Sequence, residues 1–122
     1  MSDFSELPLN PALHQGVTAA EYLEMTPVQA ASLPAILAGR DVIAQAKTGS
    51  GKTAAFALGL LAAIDASSIR LQGLVLCPTR ELADQVAQEI RRLARGEGHI
   101  KILTLCGGTT MRPQRNSLEH GA

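Results

Sequence analysis

Hydrophobic positions along the chain follow two patterns. Short apolar runs occur at 41–46 (DVIAQA), 71–78 (LQGLVLCP) and 100–106 (IKILTLC). Each is too short for a helix and is bounded by turn residues, so each reads as a buried strand. The segments between them have helical spacing. TRELADQVAQEIRRLAR, starting at Thr79, places Leu82, Val86, Ile90 and Leu93 on one face and is a clear amphipathic helix. GKTAAFALGLLAAIDA, starting at Gly51, is apolar nearly all round, which implies a helix buried on several sides.

Toward the N-terminus, VTAAEYLEM (17–25) has helical spacing and stops before Thr26-Pro27. TPVQAASLPAIL (26–37) then restarts a helix, with Thr26 as its cap, Pro27 in its first turn and Pro34 crowding its interior. After the third run, GGTTMRPQRNSLEHGA opens on a glycine turn and holds a short helix over 113–120. Strands alternating with helices predict an α/β fold, a parallel sheet with helices on both faces. Three strands make a thin sheet, and the run stops after a helix where a further strand is expected. This pattern predicts a piece of a longer protein.

Composition narrows the picture. The 122 residues allow one small domain, and with two Phe, one Tyr and no Trp its core must be aliphatic. Lys plus Arg and Asp plus Glu number 11 each. That balance excludes nucleic-acid binding by bulk attraction, so any such binding must use local, oriented groups. Cys77 and Cys106 sit in or beside apolar runs without metal spacing and read as reduced thiols of a cytoplasmic protein. His14, His99 and His120 are scattered, with no ligating or catalytic neighbour. The N-terminus lacks the pattern of a secretory signal.

The candidate chemistry lies in AKTGSGKT, residues 46–53, between a predicted strand and a predicted helix. Glycines there let successive backbone N–H groups turn inward around phosphate oxygens, and the helix start adds its positive end. In that arrangement Lys52 reaches the β- and γ-phosphates, and the Thr53 hydroxyl holds Mg²⁺. The general pattern G-x-x-x-x-G-K-[ST] has Ala46 in place of its first glycine. A Gly/Ser-rich turn is the alternative, but packing alone gives little reason for Gly-Lys-Thr at a helix start.

Ala46 followed by Lys47, Thr48, Gly49, Ser50, Gly51, Lys52 and Thr53 resembles the phosphate loop of the DEAD-box RNA helicases. EYLEMTPVQ (21–29) is similar to that family's Q motif, with Phe4 17 residues upstream as its isolated aromatic. PTRELADQ (78–85) resembles motif Ia, and Gly107-Gly108 stand where the family has a glycine pair. Glu21 departs from a usual Gly, and Met25 from a usual Pro.

The resemblance implies a partial RecA-like P-loop NTPase domain: a Q-motif region over 1–40 packing on the core, and the first part of an ATP-binding domain over 41–122. It implies ATP and Mg²⁺ as cofactors, with Lys52 and Thr53 as catalytic residues. Gln29 would read adenine, Tyr22 would stack on the base with Phe4 behind it, and Thr26 would orient the helix carrying Gln29. Pro78, Thr79, Arg80, Gly107 and Gly108 would contact the RNA backbone; the branch with the nearest wording acts on large-subunit ribosomal RNA. An exposed helix residue is the alternative for Gln29, core packing for Tyr22 and Phe4, and pairing with Glu81 for Arg80.

The family's Asp-Glu-Ala-Asp, TPGR and SAT sequences do not occur in these residues. The expectation is an ATP-dependent RNA helicase of which this stretch, taken alone, is inactive. Its exposed sheet edge would pair with a missing segment or another chain. A non-catalytic nucleotide- or RNA-binding half-domain that needs a partner segment is the competing reading. A small P-loop kinase has no need of Gln29 or of Thr79-Arg80-Glu81.

Overall fold

The computed structural model describes residues 3–122. Five α-helices occur among them: α1 (Pro11–Ala19), α2 (Pro27–Leu37), α3 (Lys52–Ala63), α4 (Arg80–Leu93) and α5 (Met111–Glu119). Short 3₁₀ turns lie at Phe4–Glu6 and Ala94–Gly96.

Local chemistry accounts for most of these boundaries. The Asn10 side chain accepts from the Leu13 N–H at 2.8 Å and Pro11 occupies the first turn, so α1 begins there. Its last residue is Ala19, with Ala20 as the C-cap, so the helix expected over 17–25 is corrected at both ends: it starts six residues earlier and stops six earlier. The Thr26 hydroxyl caps α2 and the Gln29 side chain answers to the Thr26 N–H, a complete capping box. Pro34 sits inside α2 without ending it. Thr79 caps α4 through the Leu82 N–H.

The core forms where α2 packs on α3, α3 on α4, and α1 on α4. Leu13, Leu33, Leu58, Leu61 and Leu93 are fully buried at its centre, with Phe4 closing one side. Two glycines let helices approach closely: a Cβ on Gly16 would lie 2.0 Å from the Leu93 carbonyl oxygen, and one on Gly59 2.0 Å from Ile36 Cγ2. On α4 the buried face is Val86, Ala87, Ile90 and Leu93, while Leu82, expected among them, is 37% exposed.

The three runs expected as strands lie between the helices, but none forms a ladder with another among the described residues; only an isolated antiparallel bridge, Asp3 with Glu24, is found there. Over 73–77 half-buried and exposed residues alternate as in a strand: Gly73, Val75 and Cys77 face inward, Leu74 and Leu76 outward. Both sets are largely apolar, the composition of a strand meant for burial on both faces. A cavity of about 1020 Å³ separates 71–77 from 99–107 and is walled by α3 and α4. No helix among the described residues is long and apolar enough to cross a membrane.

Candidate nucleotide site and RNA face

The loop Ala46–Gly51 runs from the first apolar run into α3. Gly49 and Gly51 adopt left-handed backbone, with φ of 82° and 92°, which a side chain would strain. Gly51 is the N-cap of α3 and has no side chain to satisfy the first N–H groups of that helix. Those donors, with the helix dipole behind them, make an anion-attracting end. Ser50 Oγ is buried without a hydrogen-bond partner among the described residues. A buried hydroxyl in that position fits a phosphate oxygen as its missing partner.

Lys52 and Thr53 are the first two residues of α3 and are half-buried. The Lys52 ammonium folds back over the loop and donates to the carbonyls of Ala46 and, at 2.9 Å, Lys47. Ala46 is half-buried; Lys47 and Thr48 are exposed on the rim. Thr53 carries a hydroxyl in the first turn of α3, a hard oxygen donor.

Gln29 stands against this cup. Its Nε2 donates to the Gly51 carbonyl at 3.0 Å, and its Oε1 accepts from the Thr26 N–H at 2.9 Å. Only 1% of Gln29 is exposed, so it is not the surface residue that a lone glutamine usually is. These two bonds use one N–H and one lone pair of the amide and leave one of each.

Tyr22 is half-buried, with its ring centroid 5.6 Å from that of the fully buried Phe4. Its hydroxyl donates to Glu89 on α4. Burial first, then the Glu89 hydrogen bond and charge, push the phenol up to about 12, against the opposing pull of Arg92. Glu21 takes φ 63°, left-handed backbone at the position where a Gly is usual in the similar motif.

Pro78, Thr79, Arg80, Gly107 and Gly108 are all exposed. Arg80 donates to the Gly107 carbonyl at 3.4 Å, and a Cβ on Gly108 (φ 77°) would lie 3.1 Å from its guanidinium. The structure thus joins the start of α4 to the glycine turn, across 27 residues of sequence.

Sequence reasoning missed two contributors. Gln114 pins the glycine turn, accepting from the Cys106 N–H at 2.8 Å and donating to Thr109 Oγ1 at 2.9 Å. Glu89 holds Tyr22. Its i,i+3 spacing to Arg92 on a helix is a local signal of an ion pair, but nothing local points to a tyrosine 67 residues away. Among the described residues no cluster of three or more metal-ligating side chains occurs.

A glycine cup feeding a helix start, backed by packed helices and apolar runs, defines a partial RecA-like P-loop domain. The family model for the DEAD/DEAH box helicases matches residues 26–122, and the chain belongs to that family. It is 65% identical to the ATP-dependent RNA helicase DbpA of Escherichia coli (strain K12) over 121 residues, 98% of this chain and 26% of that protein. It is 42% identical to the DEAD-box ATP-dependent RNA helicase CshA of Bacillus anthracis over 98% of this chain and 22% of that protein. The chain therefore spans about a quarter of the length of the curated relatives it matches.

Among solved structures, the DEAD box protein from the hyperthermophile Methanococcus jannaschii superposes with a TM-score of 0.92 at 34% identity, covering 99% of this chain and 33% of that one. The RNA helicase Prp28 from Chaetomium thermophilum, bound to ADP, gives 0.84 at 37% identity, over 99% of this chain and 30% of that one. Dbp5 of S. cerevisiae, bound to RNA and ADP BeF3, gives 0.75 at 34% identity, over 79% and 25%.

Proposed function

We propose that this chain is the first part of an ATP-dependent RNA helicase, cytoplasmic and acting on ribosomal RNA during large-subunit assembly. The observation that carries the proposal is the Gln29–Gly51 hydrogen bond at 3.0 Å. It sets a base-reading amide against a phosphate cup, and a purine triphosphate needs both at once.

In this reading ATP lies with its phosphates in the cup from Ala46 to Thr53. Lys52 exchanges its loop carbonyls for phosphate oxygens, Ser50 gains the partner it lacks, and Thr53 holds Mg²⁺, which would offset charge on the β- and γ-phosphates. Gln29 selects adenine over guanine because guanine reverses the donor at its exocyclic position. Tyr22 stacks on the base with Phe4 behind it, and Thr26 keeps Gln29 in place through the capping box. Pro78, Thr79, Arg80, Gly107 and Gly108 meet the RNA backbone, which a chain of zero formal net charge manages with oriented N–H groups and one guanidinium.

Hydrolysis needs acidic groups and an arginine that we assign to the remainder of the longer protein. The slot between 71–77 and 99–107 takes a further strand from that remainder, since Ile69, Leu71, Leu74 and Leu76, all more than 60% exposed, cannot stay in water without risk of aggregation. The 122 residues alone are a binding half-domain.

Steady-state ATP hydrolysis with and without RNA tests this reading, in the full-length protein and in the 122-residue chain. RNA-stimulated turnover is expected only in the former. Gln29→Ala in the full-length protein is expected to reduce discrimination between ATP and GTP by tenfold or more, on the order of 1.4 kcal/mol. Turnover by the short chain, or unchanged discrimination in Gln29→Ala, would refute the reading.

A further inference from the structure

We propose that Glu89, on α4, is a positioning residue for nucleotide binding: its carboxylate holds Tyr22 in the orientation that meets the base. The inference rests on the reading of Tyr22 as the stacking residue.

The turn that presents Tyr22 is unfavourable by itself. Glu21, immediately before it, is a non-glycine residue at φ 63°. Left-handed backbone is unfavourable for a residue with a Cβ. A conformation of that kind persists only where its surroundings over-determine it. Within the turn, Glu21 N–H donates to Thr18 O at 3.0 Å and Tyr22 N–H to Val17 O at 3.1 Å. These bonds continue from α1 and set where the turn starts, but they leave the tyrosine side chain free to rotate.

Two further ties come from α4, one on each side of Glu21. Arg92 Nη2 donates to the Ala20 carbonyl at 3.2 Å, and Tyr22 donates its hydroxyl to Glu89 Oε1. The Arg92–Glu89 ion pair, at 3.1 Å between Nη1 and Oε2, joins the two ties. The result is a closed ring of contacts, Ala20–Arg92–Glu89–Tyr22, that straddles the left-handed residue. Arg92 is about half exposed and Glu89 only 15%, so by itself the pair contributes modestly. Its place here is to orient a carboxylate that also accepts from a phenol, and such charge-assisted bonds are among the stronger ones.

The ring of Tyr22 is fixed at its other end by Phe4, tilted 45° to it at 5.6 Å between centroids. Phe4 is itself tied to this turn, its N–H donating to Leu23 O at 3.3 Å. A tyrosine held through both ring and hydroxyl has little rotamer freedom left to lose when a base stacks on it, and this preorganisation lowers the cost of binding.

The test is ATP hydrolysis by the full-length protein at saturating RNA, comparing wild type with Tyr22→Phe, Glu89→Ala, Glu89→Gln, the Tyr22→Phe/Glu89→Ala double variant and Tyr22→Ala. Thermal melting of each checks folding. Tyr22→Phe and Glu89→Ala should each raise KM for ATP about three- to tenfold, the size of one hydrogen bond, with the loss falling on KM rather than kcat. The double variant should be no worse than either single one. Glu89→Gln, whose amide oxygen can still accept from the phenol, should recover most of the Glu89→Ala loss. A merely structural role would lower melting temperature without this KM pattern or its recovery by Gln. If Tyr22→Ala raises KM while Tyr22→Phe and Glu89→Ala do not, Glu89 has no positioning role and the stacking reading stands. If Tyr22→Ala leaves KM unchanged, the stacking reading falls and the role of Glu89 with it.

Discussion

Gln29 and Gly51 touch through a 3.0 Å hydrogen bond between side-chain amide and backbone carbonyl, 22 residues apart in sequence. The contact needs a glycine. A Cβ at position 51 would lie 2.3 Å from Gln29 Nε2 and 3.1 Å from Thr26 Oγ1, on backbone with φ 92°.

Gly51→Ala should therefore be costlier than Gly49→Ala. Gly49 is also left-handed, at φ 82°, but nothing lies within 4 Å of where its Cβ would be. Gly49→Ala carries only the conformational penalty, about 1 kcal/mol. Gly51→Ala adds overpacking against the capping box, for a total of about 2–4 kcal/mol. Denaturant titration of the two variants measures the difference, and equal losses would refute the contact.

Gly16→Ala is a second case in which position reverses an ordinary expectation. In a helix interior this change usually stabilises by up to about 1 kcal/mol. Gly16 lies buried in α1, and a Cβ added there would meet the Leu93 carbonyl oxygen at 2.0 Å. Backbone cannot rotate away as a side chain can, so α1 and α4 must separate. The expected outcome is a loss of about 1–3 kcal/mol, read as a lower denaturation midpoint.

Tyr22 gives a pH signature at the alkaline end. Its phenol is pushed from the ordinary 10.0 up to about 12, by burial foremost and then by Glu89. The folded state thus holds this proton more tightly than the unfolded chain. The resulting stabilisation is complete below pH 10 and is lost as pH rises through about 12. The absorbance difference between wild type and Tyr22→Phe should titrate near 12 in the folded protein. In Glu89→Ala the midpoint should fall, while burial keeps it above the ordinary value.

Several features were legible locally. Thr26-Pro27 marked the start of α2, Gly51-Lys52 the start of α3, and Thr79 the cap of α4, because capping is settled within three or four residues. The start of α1 was equally local in Asn10-Pro11, but the apolar spacing of 17–25 drew the helix too far along. The true end, with Ala20 as the C-cap, is followed by a left-handed Glu21, a conformation that side-chain type does not announce. The three apolar runs showed their strand-like composition, but none pairs with another among the described residues, because pairing depends on contacts distant in sequence.

Taken alone, the amino-acid order determined the phosphate loop, the starts of α2, α3 and α4 and the likeness to DEAD-box helicases, since each is written in contiguous residues with short-range physical causes. Only the tertiary structure decided that the Gln29 amide rests on Gly51, that Arg80 reaches the Gly107 turn, and that Glu89 holds Tyr22. Those contacts join residues 22, 27 and 67 positions apart, and they exist because helix packing brings the helices and the loops between them into register, which no local propensity encodes.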